Sequence, residues 1–146
     1  MSTRFKSACA VALILEQDNK ILCIHRGAVN INPHYWSIVA GHIDAGESAT
    51  AAIVREAYEE IGITINPADI ALVHTSYAYQ PTYGEIISLY FTCSKWTGAI
   101  INNEPHKHVE LQWFDKATLP SPMIEHVAYS MAQLFEGRPF SEWGWQ

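Results

Sequence analysis

Apolar and polar positions follow two rhythms along this chain, and the changes between them mark the elements. Ser7 to Leu15 is a continuous apolar stretch, as in a strand buried on both faces. Gln17-Asp18-Asn19-Lys20 is polar and reads as a turn; Ile21 to His25 is then a second short strand, completing a hairpin. Gly27 to Trp36 carries two Asn, a Gly and a Pro, so a loop is expected there. Ile38-Val39 is a brief strand that delivers Gly41. Ile70 to Tyr79 and Glu85 to Ser94 alternate and are rich in Val, Ile, Tyr and Phe, which predicts two strands joined by Pro81-Thr82-Tyr83-Gly84. Glu110 to Phe114 is a further strand.

The rhythm changes to a helical one twice. Glu47 to Ile61 has Ser48 as an N-cap, an alanine-rich interior and Gly62 to stop it. Met123 to Phe135 predicts a second helix, with Pro122 suiting its first turn. Strands outnumber helices but both helices are long, so the class is α/β or α+β, with a mixed sheet between helical layers. No repeat, low-complexity tract or linker divides residues 1–146, which read as one domain.

The first helix separates acid from apolar. At about 100° per residue, with Glu56 at zero, Glu60 falls near +40° and Glu59 near −60°. Ala57, Ile61, Val54 and Tyr58 lie nearly opposite and are expected to face the core. A solvated acidic face is the simpler alternative. Against it, Glu56 makes like-charge pairs with both Glu59 and Glu60, each costing a few tenths of a kcal/mol unless compensated. Arg55 can pair with Glu59 or reach Glu47, but one arginine does not neutralise four carboxylates. A Mg²⁺ or Mn²⁺ ion would, and oxygen ligation is what such ions take.

Gly41, Glu47, Arg55, Glu56, Glu59, Glu60 and Gly62, closed by the apolar Ile63, fit the spacing Gly-x5-Glu-x7-Arg-Glu-U-x-Glu-Glu-x-Gly-U, where U is apolar. Seven fixed positions match by chance at roughly 10⁻⁸ per window. This is the signature box of the Nudix hydrolases, and the chain strongly resembles that family, with Ala57 a small choice for the first apolar position.

The resemblance implies a Nudix-type α/β/α sandwich with a mixed sheet. It also implies hydrolysis of a nucleoside diphosphate linked to another moiety, with Mg²⁺ or Mn²⁺ and an attacking water. Carried over by position, Glu56, Glu59 and Glu60 become metal-binding carboxylates. Gly41 would offer its backbone carbonyl to a metal, and Arg55 would hold Glu47. Trp36 sits where the family often has an aromatic before a Pro-Gly-Gly, which here is Val39-Ala40-Gly41. Arg26 ends a strand where MutT-like relatives place a substrate-contacting arginine.

Asn103-Glu104-Pro105-His106-Lys107, followed by Leu111-Gln112-Trp113-Phe114 and Leu119-Pro120, resembles a segment of MutT-like nucleoside triphosphate diphosphatases. Glu104 is therefore expected to supply another metal ligand or the general base, with Glu110 in reserve. Tyr79 stands near where diadenosine-polyphosphate hydrolases of the family carry a tyrosine. Tyr77, Tyr79 and Tyr83 could stack a base, although strand tyrosines mostly pack. His106 and His108 lack a Cys or a third nearby histidine and are not read as a transition-metal pair.

The implied reaction is metal-dependent cleavage of a (deoxy)nucleoside triphosphate to the monophosphate and pyrophosphate. ADP-ribose or a dinucleoside polyphosphate is the alternative substrate. A nucleotide-sensing module without catalysis is a third reading, disfavoured because such modules commonly lose box carboxylates.

Composition adds exclusions. Apolar residues at 49% and charged residues at 16% describe a globular domain, and a net charge of −6 argues against a nucleic-acid polymer as ligand. Cys9, Cys23 and Cys93 are odd in number and fall in apolar segments, as core thiols in a reducing cytoplasm would. The longest apolar run, Ala8 to Leu15, is too short to span a bilayer and lacks the flanks of a secretory signal, so a cytoplasmic protein without a membrane partner is expected. Phe140, Trp143 and Trp145 form an aromatic tail expected to pack onto the domain or onto a second copy, leaving a homodimer open.

Overall fold

The long apolar run becomes the centre of the sheet. The computed structural model describes residues 3–82 and 84–145. Strand β1 (Ala8–Gln17) lies parallel to β6 (Gly84–Cys93), with Ala8 opposite Ile86 and Leu15 opposite Cys93. Its other edge is antiparallel to β4 (Val39–His42), with Val11 opposite Gly41. Asp18 and Asn19 both take positive φ, 52° and 62°, turning β1 into β2 (Lys20–Arg26). Short polar side chains tolerate that conformation better than most, so the polar turn is the hairpin expected.

β2 is flanked by β3 (Trp36–Ser37) and β7 (His108–Asp115), both antiparallel to it. β5 (Ile70–Gln80) is antiparallel to β6 and parallel to β8 (Phe140–Trp143). The eight strands form one connected mixed sheet.

Alternation along β1 builds the layers. Val11, Leu13 and Leu15 pack with Ala52, Ile53, Ala57 and Ile61 of helix α1 (Ala49–Ile61). Ala12 and Ile14, joined by Tyr90, pack with Val127 and Met131 of helix α2 (Glu125–Phe135). Both faces of β1 are covered, which is why its sequence is continuously apolar. The outcome is the α/β sandwich with a mixed sheet that the sequence predicts. Among the described residues no helix is long and apolar enough to cross a membrane.

Several expectations are corrected. α1 starts at Ala49 rather than Glu47: Ser48 Oγ accepts from the Ala51 N–H at 3.1 Å, leaving Glu47 in the preceding turn. Gly62 ends α1 as expected, in the left-handed region at φ 73°. Tyr58, placed on the core face, is 60% exposed, whereas Ile53 is fully buried. α2 starts at Glu125, not Met123, because Met123 is drawn into a parallel bridge with Trp36 and Pro122 accepts from the Trp36 N–H at 2.8 Å. Cys9 is exposed while Cys23 and Cys93 are buried; it precedes the stretch of β1 that α1 covers. The aromatic tail packs onto the domain, where Phe140–Trp143 adds an edge strand not foreseen as one. Tyr83, expected in the turn before β6, lies outside the described residues.

Candidate metal and phosphate site

β4 and α1 are neighbours across the core, and their polar margins form one wall of a cleft. Gly41 on β4 lies so close to α1 that a Cβ there would collide with the Glu56 carboxylate. Glu60, one turn further on, is only 8% exposed, and its Oε2 accepts from the Ala40 N–H at 3.2 Å. That bond fixes the side chain without neutralising it. Burial first, and the charge of Glu56 second, push the Glu60 carboxyl well above the ordinary carboxylate range. Burial raises Glu56 as well, against the opposing hydrogen bond from Arg55.

Arg55 organises the acids from behind. Its Nε donates to Glu47 Oε2 at 2.8 Å and its Nη2 to Glu47 Oε1 at 3.0 Å, a two-pronged grip. Nη1 reaches Glu56 at 2.8 Å and Glu59 at 3.2 Å, and Nη2 also reaches the His42 carbonyl at 3.0 Å. Glu47 in turn accepts from the Asp44 N–H at 3.0 Å, so the loop after β4 is tied to the helix. The Arg55 bond holds the Glu47 carboxyl down to about 2.

The facing wall comes from the loop before β7, which is strapped to the C-terminal end of α1. Ile101 N–H donates to Ile61 O at 3.0 Å, Asn103 N–H to Glu60 O at 3.1 Å, and Asn103 Nδ2 to Tyr58 O at 3.2 Å. The first two satisfy carbonyls that the helix end leaves free, and the third adds to the Tyr58 carbonyl that already accepts from the Gly62 N–H. They also carry Glu104 to Glu60. Asn102 then joins the two ends of a tight turn: its Oδ1 accepts from the Glu104 N–H at 3.3 Å and its Nδ2 donates to His108 O at 2.8 Å.

The cleft between these walls has a volume of about 430 Å³. Glu56, Glu59, Glu60 and Glu104 line it, together with Gly41 and the cations Arg26 and Lys107. Arg26 is aimed by its own loop, donating to Ile31 O at 2.8 Å and Asn32 O at 3.2 Å. Ligand atoms of Glu60, Glu104 and His108 lie within 4.8 Å of one another. His108 is buried, and desolvation lowers its pKa, favouring the neutral ring. A second recess of about 180 Å³ shares Arg26, Ala40 and Gly41 with the cleft and adds Ser37, Ser88, Tyr90 and His126.

Six sequence-predicted residues therefore meet in the cleft: Arg26, Gly41, Glu56, Glu59, Glu60 and Glu104. Glu47 and Arg55 stand behind it. Trp36 is buried, stacked on His25 at 4.5 Å with Phe114 edge-on at 5.0 Å, so it packs the core rather than lining the cleft. Tyr79 lines a different groove with Pro81, Trp143 and Trp145. Glu110 points to His25 at 3.5 Å. Sequence reasoning quoted Lys107 without giving it a role, missed Asn102 and set His108 aside. The signal for all three was their nearness to Glu104 within a tight turn entering a strand.

Oxygen donors dominate the cleft, which suits Mg²⁺ or Mn²⁺, and a buried carboxylate facing other carboxylates is a group that a cation would stabilise.

The NUDIX domain family model matches residues 5–135. ADP-ribose pyrophosphatase of Methanocaldococcus jannaschii is 32% identical over 121 residues, covering 82% of this chain and 68% of that protein. CTP pyrophosphohydrolase of Escherichia coli is 31% identical over 104 residues, covering 70% of this chain and 72% of that protein. The crystal structure of the MutT NUDIX hydrolase from Burkholderia pseudomallei superposes with a TM-score of 0.80 at 22% identity, over 88% of this chain and 98% of that one.

Proposed function

Because this chain belongs to the Nudix family of pyrophosphohydrolases, we propose that it hydrolyses a (deoxy)nucleoside triphosphate to the monophosphate and pyrophosphate, with Mg²⁺ or Mn²⁺. The observation that carries this reading is the convergence of Glu56, Glu59, Glu60 and Glu104 on one cleft that also holds Arg26 and Lys107. Acids alone would repel a polyphosphate and cations alone would merely bind it; the combination suits metal-assisted phosphoryl chemistry.

Glu56, Glu59 and Glu60, with the Gly41 carbonyl, would hold the metal. When bound, it neutralises phosphate charge and makes water a better nucleophile. Arg26 and Lys107 draw the phosphate chain into the cleft and orient it. Glu104, held 20% exposed beside Glu60, accepts the proton of the attacking water on one carboxylate oxygen, leaving the other free to face the metal, while the bridging P–O bond breaks and pyrophosphate departs. Arg55 and Glu47 do not touch substrate in this scheme; they keep Glu56 and the β4–α1 loop in register. The compact second recess, sharing Arg26 with the cleft, suits one nucleoside.

ADP-ribose is the second reading, favoured by the identity to a pyrophosphatase named for that substrate. A panel of nucleoside triphosphates, ADP-ribose and dinucleoside polyphosphates, with products identified, decides between them. Monophosphate and pyrophosphate from at least one triphosphate are expected. Turnover of ADP-ribose or a dinucleoside polyphosphate with no triphosphate hydrolysed would overturn the reading.

A further inference from the structure

The buried imidazole of His108 has no role in the scheme above. Its side chain is only 6% exposed, and its Nδ1 is sealed from solvent without a hydrogen-bond partner among the described residues. Folded proteins rarely leave such a nitrogen orphaned unless something else fills its coordination. His108 is the only histidine lining the cleft among the described residues.

We propose that His108 joins Glu60 and Glu104 as ligands of one divalent-cation position, and that its nitrogen makes this position select Mn²⁺ over Mg²⁺. The inference rests on the reading of the cleft as a metal site. The three ligand atoms lie within 4.8 Å of one another, and ligands around one such ion stand about 3–4 Å apart, so small adjustments close the set.

The Glu60 side chain and the backbones of Glu104 and His108 are held by hydrogen bonds. Glu60 is pinned by Ala40 N–H at 3.2 Å. Glu104 and His108 are the ends of one turn, closed by His108 N–H donating to Glu104 O at 3.0 Å and braced by Asn102. The register between β2 and β7 sets His108 opposite Arg26, after a shift in pairing between His25 and Arg26. The start of β7 therefore puts a ring among carboxylates.

An all-oxygen set suits Mg²⁺, which prefers carboxylates and water and dehydrates reluctantly. Replacing one oxygen by imidazole shifts preference toward transition ions, of which Mn²⁺ still accepts the carboxylates.

Electron spin-echo envelope modulation of Mn²⁺-loaded protein, without nucleotide, reads the donor directly. Nitrogen modulation is expected in the wild type and lost in His108→Ala, with Mn²⁺ affinity falling about 10–100-fold and Mg²⁺ affinity changing less. Wild-type protein labelled with ¹⁵N-histidine gives the same answer without a substitution, since its modulation frequencies change only if a histidine binds. Bound Mn²⁺ without nitrogen coupling, or coupling that survives in His108→Ala, would overturn the inference while leaving the carboxylate site intact. No Mn²⁺ binding at all would sink both.

Discussion

Asn103 N–H donates to the main-chain oxygen of Glu60 at 3.1 Å, so the residue at the heart of the acid helix is also the anchor of the loop that brings Glu104. The two walls of the cleft are thus joined at their base by the backbone.

Asn102 is the most sensitive brace in that loop, because its one amide serves both ends of the Glu104–His108 turn. Asn102→Ala should lower stability by about 1–2 kcal/mol and weaken Mn²⁺ binding about tenfold. Denaturant unfolding and calorimetric metal titration check the two parts separately. Unchanged metal affinity would mean that the turn holds without its brace.

Gly41→Ala tests the close approach of β4 to α1. The added methyl meets the tip of the Glu56 side chain, which can swing aside, so the fold should survive with little change in melting temperature. The carboxylate would leave its place beside Arg55, and kcat should fall by about 10²-fold, as misplacements of that size cause. Wild-type kinetics in this variant would show that Glu56 has a second serviceable position.

Arg55→Ala and Glu47→Gln both loosen the two-pronged grip, and Arg55→Ala should cost more because it also frees Glu56, Glu59 and the His42 carbonyl. Both are expected to lower kcat by about 10–100-fold with a smaller effect on KM, the pattern of positioning residues. The double variant should be little worse than Arg55→Ala alone. Additive losses would contradict a shared role.

These ties show which parts of the site were legible in the sequence. The spacing of Glu56, Glu59 and Glu60 is a property of one helix, so helical geometry alone places them on a common arc. The same wheel placed Ala57, Ile61 and Val54 against the core as expected but failed for Tyr58. Ile53, Ala57 and Ile61 are buried and Glu60 lies at their margin, while Tyr58 turns to solvent. Apolar character marked Tyr58 as core, but the buried stripe is set by where β1 and β4 lie, which no local pattern contains. The place of Trp36 was equally hidden: its position near the box suggested substrate, while tertiary packing against His25 and Phe114 puts its ring inside. His108 reaches Glu60 through the strapping of its loop to α1 and the pairing of β2 with β7, long-range contacts invisible to spacing.

His126 should give the fold a pH dependence of its own. Burial depresses its pKa from 6.5 to about 4, and the neutral ring accepts from the Gln80 amide. The unfolded chain binds this proton more readily, so the stability of the neutral ring is fully present above about pH 6.5 and is lost as pH falls toward 4. The loss is on the order of 3 kcal/mol. Unfolding free energies measured across that window should decline more steeply in wild type than in His126→Phe. Equal slopes would place the titration elsewhere.

A role for the buried Glu60 carboxylate in metal-assisted hydrolysis, rather than in the fold, is open to a direct test. Glu60→Gln keeps the shape and the Ala40 hydrogen bond while removing the charge. With Mg²⁺ and the triphosphate identified by the substrate panel, kcat/KM should fall by at least about 10²-fold. Metal-free melting should be unchanged or higher, because a buried charge has been removed. Turnover close to wild type, or activity lost only together with the folded structure, would rule out that role for Glu60.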